Sequence, residues 1–315
     1  MSKFRSTMLL AGVVVVAMAA ILAGCPKSPE PTPTPMVPPM PSAAKAAPAG
    51  EQITVKGSDT MLQLSQAWAE EYMKTHPGTN ISVTGGGSGV GLTAIVDGTC
   101  QIANSSRKIK DTEVTAAKAK NVEPKEHVMA YDGIAMIVNK ANPVTKLTID
   151  QLADIFTGKT TNWKQVGGRD GEIVVLSRES SSGTHVYVKE AILNKGDAKG
   201  TAEYAKSVLF QPSTQAICDL VAQNEKAIGY VGLGYITDKF KVLGVSKKSG
   251  DEAVTASVET VASGKYPVSR PLICYTNGEP ATGTVKEFLD WCLGADGQKV
   301  VKDKDFVPLG DQKKK

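Results

Sequence analysis

The chain has 315 residues, 41% hydrophobic and 22% charged, enough for one large domain or two lobes of ordinary size. Its formal net charge of +4 is small for this length, so the balance lacks the basic footprint of a nucleic-acid binder. Five cysteines without a CxxC pair and three histidines make a metal cluster improbable. Any affinity for anions must therefore come from local geometry.

The N-terminus carries the pattern of an export signal. Lys3 and Arg5 form a positive segment, residues 8–23 are almost wholly apolar, and small residues precede Cys25. A transmembrane anchor is the alternative, but the apolar run is short. The pattern resembles a bacterial lipoprotein signal, which implies a signal peptide over 1–24, lipid attachment to the sulfur of Cys25 and a location outside the cytoplasm.

Residues 25–50 form a low-complexity segment. Nine prolines alternate there with alanine, serine and threonine, and such a composition cannot bury a core. We expect an extended linker between the lipid and the folded domain. Four cysteines remain in the exported part, where disulfides are permitted, and the three possible pairings or no pairing all stay open.

The rest of the chain alternates between strand and helix patterns. Strands are predicted at 52–56, 80–84, 101–104, 128–138, 173–177, 227–231 and 267–276. Helices are predicted at 61–74, 90–96, 148–156, 183–193, 213–223 and 282–293. This rhythm with short loops indicates α/β architecture, and two α/β lobes with the chain crossing twice are the simplest layout.

Three loops share one chemistry, and each joins a predicted strand to a predicted helix. They are 57–60 (GSDT), 85–91 (GGGSGVG) and 178–184 (RESSSGT). Glycine lets backbone N–H groups approach a ligand, and hydroxyl and N–H groups at a helix N-terminus form an anion site. In open α/β sheets, ligands bind at the carboxyl ends of strands, where these loops fall. The pattern predicts a site for a small tetrahedral oxyanion.

Several residues have a second interpretation. Arg178 and Arg107 are either donors to an oxyanion or members of structural ion pairs. Asp59 either caps the helix at 61–74 or accepts a hydrogen bond from a protonated ligand oxygen. Ser182 and His185 suggest a hydrolase only if a carboxylate orients the imidazole, and no such acid is identifiable in the sequence.

An ordered set of motifs resembles one known family. The motifs are 57–60 (GSDT), 86–89 (GGSG), 102–107 (IANSSR), 156–159 (FTGK), Asn162-Trp163, Gly167-Gly168, 178–184 (RESSSGT), 227–230 (AIGY) and 266–272 (YPVSRPL). Together they resemble the PstS family, the phosphate-binding proteins of bacterial ABC phosphate importers, over about residues 51 to 310. The resemblance implies a two-lobed periplasmic-binding-protein fold (type II-like) that closes on phosphate. We expect lobe 1 at 51–133 plus 266–310, lobe 2 at 134–265 and a basic tail at 311–315.

The resemblance also implies the ligand contacts. The residues expected to bind phosphate are Ser58, Asp59, Thr60, Ser88, Gly89, Ser106, Arg107, Arg178, Ser182, Gly183 and Thr184. In the better-known branch of the family, an aspartate at the position of Ser106 accepts the proton of hydrogen phosphate and helps exclude sulfate. A serine cannot act as a charged acceptor, and Asp59 is the nearest candidate replacement.

The expected function is extracytoplasmic capture of inorganic phosphate and delivery to an ABC permease. We expect a monomer tethered to the membrane through Cys25, with no cofactor, no metal, no nucleic acid and no catalysis. The alternatives are a binding protein for another oxyanion such as sulfate or molybdate, a phosphate sensor on the same fold, and a serine hydrolase using Ser182.

Overall fold

The computed structural model describes residues 52–197 and 199–311. The expected signal peptide, the lipidation site at Cys25, the proline-rich linker and the tail beyond Asp311 lie outside the described residues. Within those two ranges, no helix has both the length and the apolar character needed to cross a membrane.

The described elements alternate as expected. The strands are β1 (Gln52–Gly57), β2 (Asn80–Gly86), β3 (Ile102–Ser105), β4 (Pro124–Asn139), β5 (Lys146–Thr148), β6 (Val174–Arg178), β7 (Leu209–Gln211), β8 (Ala227–Gly232), β9 (Phe240–Val242), β10 (Gly244–Ser246), β11 (Val254–Thr255) and β12 (Ser269–Asn277). The helices are α1 (Leu62–Thr75), α2 (Ser88–Val96), α3 (Asp111–Ala119), α4 (Ile149–Phe156), α5 (Gly183–Val188), α6 (Thr214–Gln223), α7 (Val258–Ala262), α8 (Thr284–Leu293) and α9 (Ala295–Asp303). A π-helical turn over Lys189–Leu193 continues α5.

The main sheet contains two groups of parallel strands, which are joined by the antiparallel strands β12 and β4. Its strand order is β2-β1-β3-β12-β4-β8-β6-β7, with β9 added beside β4. The strands β2, β1 and β3 are parallel, as are β8, β6 and β7, whereas β12 and β4 run antiparallel to their neighbours. A smaller sheet has the order β11-β10-β5. Parallel strands need crossover connections, and helices supply most of them here.

Every predicted strand and helix has a counterpart, with small shifts at the ends. The elements that sequence patterns missed are short or mostly polar. Helix α3, for example, buries only Ala117, so it has almost no apolar period to detect. The Asp132-Gly133 pair lies inside the continuous strand β4, where Asp132 has a buried partner, described below.

Buried apolar residues form separate clusters that the two long strands connect. One cluster contains Met129 and Ala130 of β4, Leu272 of β12, and Trp68 with other residues of α1. The stretch from Ile134 to Val138 of β4 belongs to another cluster. Each fully buried large apolar side chain contributes about 1.5–3 kcal/mol, so each cluster is a substantial core.

The four cysteines of the described chain are free thiols. Cys100, Cys218, Cys274 and Cys292 are all buried, and no disulfide joins any of them. Burial raises the pKa of the Cys100 and Cys218 thiols to about 11, so both are protonated at neutral pH. The pairing question that the sequence left open resolves to no pairing.

Candidate oxyanion site

The register of the sheet brings the loops that follow β1, β2 and β3 to one edge of the sheet. Gly57 at the end of β1 lies opposite Gly86 of β2 and Asn104 of β3. The backbone of Ser58 donates to the carbonyl of Asn104 at 2.9 Å, and Gly87 donates to the carbonyl of Gly57 at 2.9 Å. A Cβ on Gly57 would lie 2.2 Å from the Asn104 oxygen, and its φ is +135°, so only glycine fits.

The loop after β6 packs directly against these three loops. Its backbone carbonyl at Ser181 accepts a hydrogen bond of 2.9 Å from the N–H of Gly89. Gly183 is so close that an added Cβ would lie 2.3 Å from the Ser88 Oγ and 2.7 Å from the Ser106 Oγ. Ser182 caps α5 by accepting hydrogen bonds from the N–H groups of Thr184 and His185.

Serine and threonine hydroxyls meet where the loops converge. Ser58 donates to Ser106 at 2.9 Å, and the hydroxyl oxygens of Thr60 and Thr184 lie 2.8 Å apart. The Ser106 N–H donates to the Ser88 hydroxyl at 3.0 Å. The structure thus brings together eight residues of the sequence-based set, namely Ser58, Thr60, Ser88, Gly89, Ser106, Ser182, Gly183 and Thr184, and their binding of an anion stays a prediction.

Asp59 and Arg178 form a buried ion pair between two of these loops. The Asp59 Oδ2 lies 2.5 Å from the Arg178 Nη2, and the Asp59 Oδ1 accepts from the N–H of Gly86 at 3.0 Å. The N-cap position of α1 is Met61, and no side-chain cap bond forms there. The helix-cap interpretation of Asp59 is therefore wrong, and its role as acceptor of a ligand proton stays a prediction.

Arg107 has a partner of its own. Its Nη1 and Nη2 donate to the two carboxylate oxygens of Glu113 at 2.8 and 2.6 Å, and Nη1 also donates to the carbonyl of Lys108 at 2.9 Å. Burial alone would raise the pKa of the Glu113 carboxyl, but hydrogen bonds from Arg107 and the Lys110 backbone outweigh it and lower the pKa. The sequence allowed Arg107 to be either a member of a structural ion pair or a donor to an oxyanion. The structure shows the ion pair, and binding of an oxyanion by Arg107 stays a prediction.

A second buried ion pair was not predicted from the sequence. Asp132 and Arg270 are cross-strand neighbours in β4 and β12, and the Asp132 Oδ2 lies 3.0 Å from the Arg270 Nη2. Burial raises the pKa of the Asp132 carboxyl, while Arg270 and backbone N–H groups favour its charged form. A charged residue inside an otherwise apolar strand pattern was the available signal, since such residues are seldom buried unless paired.

The hydrolase alternative requires a carboxylate behind His185. The His185 Nδ1 lies 2.7 Å from the Arg178 carbonyl oxygen, which makes Nδ1 the donor, and 3.5 Å from the Ser177 hydroxyl. Burial lowers the pKa of the imidazole. Across residues 52–197 and 199–311, no carboxylate hydrogen-bonds to this ring, so the orienting acid of a triad is missing from the described part.

Comparisons with known proteins identify the family. The model of the PBP superfamily domain matches residues 42–296. The phosphate-binding protein PstS of Bacillus subtilis (strain 168) is 37% identical over 84% of this chain and 83% of its own length. The chain belongs to the PstS family of the PBP superfamily. PstS of Pseudomonas aeruginosa PAO1 is 33% identical over 86% of this chain and 87% of its own length.

Solved structures agree with this membership. A Clostridium perfringens structure with bound phosphate, of a protein assigned as a phosphate ABC transporter substrate-binding protein, has a TM-score of 0.73 and 34% identity. It is matched over 100% of its length by 82% of this chain. The predicted fold class, a two-lobed periplasmic-binding-protein fold of α/β type, is confirmed, as is the resemblance to the PstS family.

Proposed function

We propose that this protein captures inorganic phosphate outside the cytoplasm and delivers it, chemically unchanged, to the permease of an ABC importer. The family supports this proposal, because its named members are phosphate-binding proteins and a phosphate-bound structure lies among the neighbours. Binding requires donors arranged around a tetrahedral oxyanion, and no covalent step is needed.

One observation carries the proposal. Six hydroxyl side chains from four separate loops meet in the interior, and each is at most 3% exposed: Ser58, Thr60, Ser88, Ser106, Ser182 and Thr184. Hydroxyls donate readily to charged oxygens, and such bonds strengthen where water is excluded. A tetrahedral anion with four oxygens matches this many-sided donor set.

Calorimetric titration tests the ligand. Wild-type protein should bind phosphate with micromolar or tighter affinity and arsenate comparably, because both are protonated tetrahedral anions at neutral pH. Sulfate has no proton and should bind at least about 100-fold more weakly, since a buried acceptor then faces it unpaired. Tighter binding of sulfate or molybdate than of phosphate would assign the protein to another oxyanion.

We propose further that the two lobes, 51–133 plus 266–310 and 134–265, close on the ligand by bending where β4 and β12 pass between the cores. The division of β4 between two hydrophobic clusters supports this hinge position. Saturating phosphate should decrease the radius of gyration in solution scattering. Superimposable curves with and without phosphate, at confirmed saturation, would contradict lobe closure.

A membrane tether keeps a receptor close to its permease. We propose that the lipid on Cys25 supplies it and that the linker over 25–50 holds a monomeric receptor. Mass spectrometry of the protein purified from membranes should find the lipid on Cys25, and Cys25→Ala should release the protein into the soluble extracytoplasmic fraction. Retention of the Cys25→Ala variant on membranes would refute this anchor.

A further inference from the structure

The arginine that sequence reasoning overlooked lies where the hydrophobic clusters meet. Arg270 of β12 pairs across the strands with Asp132 of β4, and the two residues are 2% and 0% exposed. On either side of Asp132, Ala130 and Ile134 belong to different clusters. The guanidinium therefore lies where β4 passes from one hydrophobic cluster to the other.

Arg270 reaches the loop cluster from this position. Its Nη2 donates to the Thr184 hydroxyl at 2.9 Å and to the Thr60 hydroxyl at 3.2 Å. These two hydroxyls belong to the loops after β6 and β1. One of these hydroxyls donates to the other, so the proton of the second hydroxyl is available to an anion.

One end of the Arg270 guanidinium has no hydrogen-bond acceptor among the described residues. The Nε and Nη2 atoms donate to Asp132, whereas Nη1 is buried without a partner. The guanidinium carbon lies 5.5 Å from the ring centroid of Tyr187, which stabilises the charge without satisfying both N–H groups of Nη1. Buried unpaired donors are costly and rare in native proteins, so this atom calls for a ligand.

Arg178 differs in this respect. Its Nε donates to the Gln211 carbonyl, its Nη1 to Thr214, and its Nη2 to both Asp59 and the Pro212 carbonyl. A guanidinium has five N–H donors, so Arg178 retains one while Arg270 retains the two on Nη1. The donor inventory therefore favours Arg270 over Arg178 as a cation with capacity for a further anion.

We propose that Arg270 binds the tetrahedral oxyanion directly through Nη1, beside the hydroxyls of Thr60 and Thr184, and sets affinity for the anion together with the loops. This inference rests on the proposed phosphate function and deepens it. Arg178 then acts mainly by holding two loops together through Asp59. Asp132 holds the Arg270 guanidinium in place and neutralises part of its charge.

Arg270→Lys is the sharpest test. Lysine keeps a positive charge opposite Asp132 but loses the planar fork that reaches past it. Phosphate affinity should fall by at least about 30-fold, as expected when a buried charged contact to a ligand is lost. The melting temperature without phosphate should stay near that of the wild type. Arg169→Lys makes the same exchange at an exposed position and should leave affinity unchanged.

A second variant covers the case in which Arg270→Lys does not fold. The double variant Arg270→Gln with Asp132→Asn removes both charges and leaves no buried unpaired charge. It should fold and bind phosphate as weakly as the lysine variant. Binding within about threefold of the wild type, in either folded variant, would overturn the assignment.

A crystal structure of the wild-type protein with phosphate decides the point even if neither variant folds. A ligand oxygen should lie within hydrogen-bond distance of the Arg270 Nη1, about 2.7–3.2 Å. A bound phosphate without this contact would refute the inference while leaving the proposed function intact. A wild-type protein that does not bind phosphate would instead refute both.

Discussion

The Asp59 carboxylate and the Arg178 guanidinium, 119 positions apart in the chain, meet at 2.5 Å between Oδ2 and Nη2. Both side chains are almost fully buried, and each comes from a loop at the end of a parallel strand. The pair therefore closes one loop on another. It also occupies part of the acceptor capacity that Asp59 would offer to a protonated ligand oxygen, although each carboxylate oxygen retains a second lone pair.

Asp59→Asn should change both stability and selectivity. Arg178 would remain buried without its counterion, so the free energy of unfolding should fall by about 3–5 kcal/mol. If Asp59 also accepts the ligand proton, the ratio of phosphate to sulfate affinity should narrow. Chemical denaturation and paired titrations with the two anions measure these effects.

A matched control for this exchange is available on the surface. Asp97 pairs with Lys120 at 2.5 Å, but both side chains are exposed. Asp97→Asn should cost at most about 1 kcal/mol and leave anion binding unchanged. A destabilised Asp59→Asn variant with wild-type selectivity would reduce Asp59 to the structural partner of Arg178.

Arg178→Ala should destabilise the protein as well as weaken phosphate binding. The substitution leaves Asp59 buried without its cation and also removes the donors to Thr214 and two backbone carbonyls. We expect the free energy of unfolding to fall by about 3–5 kcal/mol. The sequence alone does not show which residue would pair with Arg178, so this loss of stability follows only from the structure.

A double variant separates the two effects. Removing both charges, in Asp59→Asn with Arg178→Ala, should cost less stability than the sum of the single variants. Phosphate affinity in this folded background is then compared with that of the Asp59→Asn single variant. An affinity equal to that of the Asp59→Asn single variant would show that Arg178 acts through loop closure, and a weaker affinity would assign it as a direct donor.

Local sequence patterns predicted the loops of the site but not the buried ion pairs that join distant segments. Glycine and hydroxyl residues following apolar runs identified the turns after β1, β2 and β6, since strand ends and helix starts are encoded locally. The pairing of Asp132 with Arg270 depends on the antiparallel register of β4 and β12, which joins positions 138 apart. Strands as short as β11, with two residues, form only because a neighbour is present, so they leave no periodic signal.

Gly183→Ala should abolish the observed loop packing. Its Cβ would meet the Ser88 and Ser106 hydroxyls at 2.3 and 2.7 Å, closer than any real contact. Either the serine hydroxyls rotate away or the loop withdraws, and phosphate affinity should fall by at least tenfold. Calorimetric titration measures the loss.

Gly310→Ala is the control for that substitution, because a Cβ at Gly310 has no atom within 4 Å. It should bind phosphate as the wild type does. Equal affinities for the two variants would show that the loop containing Gly183 does not contact the ligand.

The ion pair of Glu113 and Arg107 should make stability depend on pH. The folded-state pKa of Glu113 lies below its unfolded value of about 4.3, so the pair contributes stability above that pH. This contribution is lost as pH falls through the folded-state pKa, where the carboxyl becomes protonated in both states. Glu113→Gln should therefore lower the free energy of unfolding by about 1–2 kcal/mol at pH 7, and the difference from wild type should shrink below about pH 4. Denaturant titrations at a series of pH values give this comparison. Phosphate affinity at pH 7 should be unaffected, because Glu113 engages both terminal nitrogens of Arg107. A large loss of affinity in Glu113→Gln would instead place Arg107 among the ligand-binding residues.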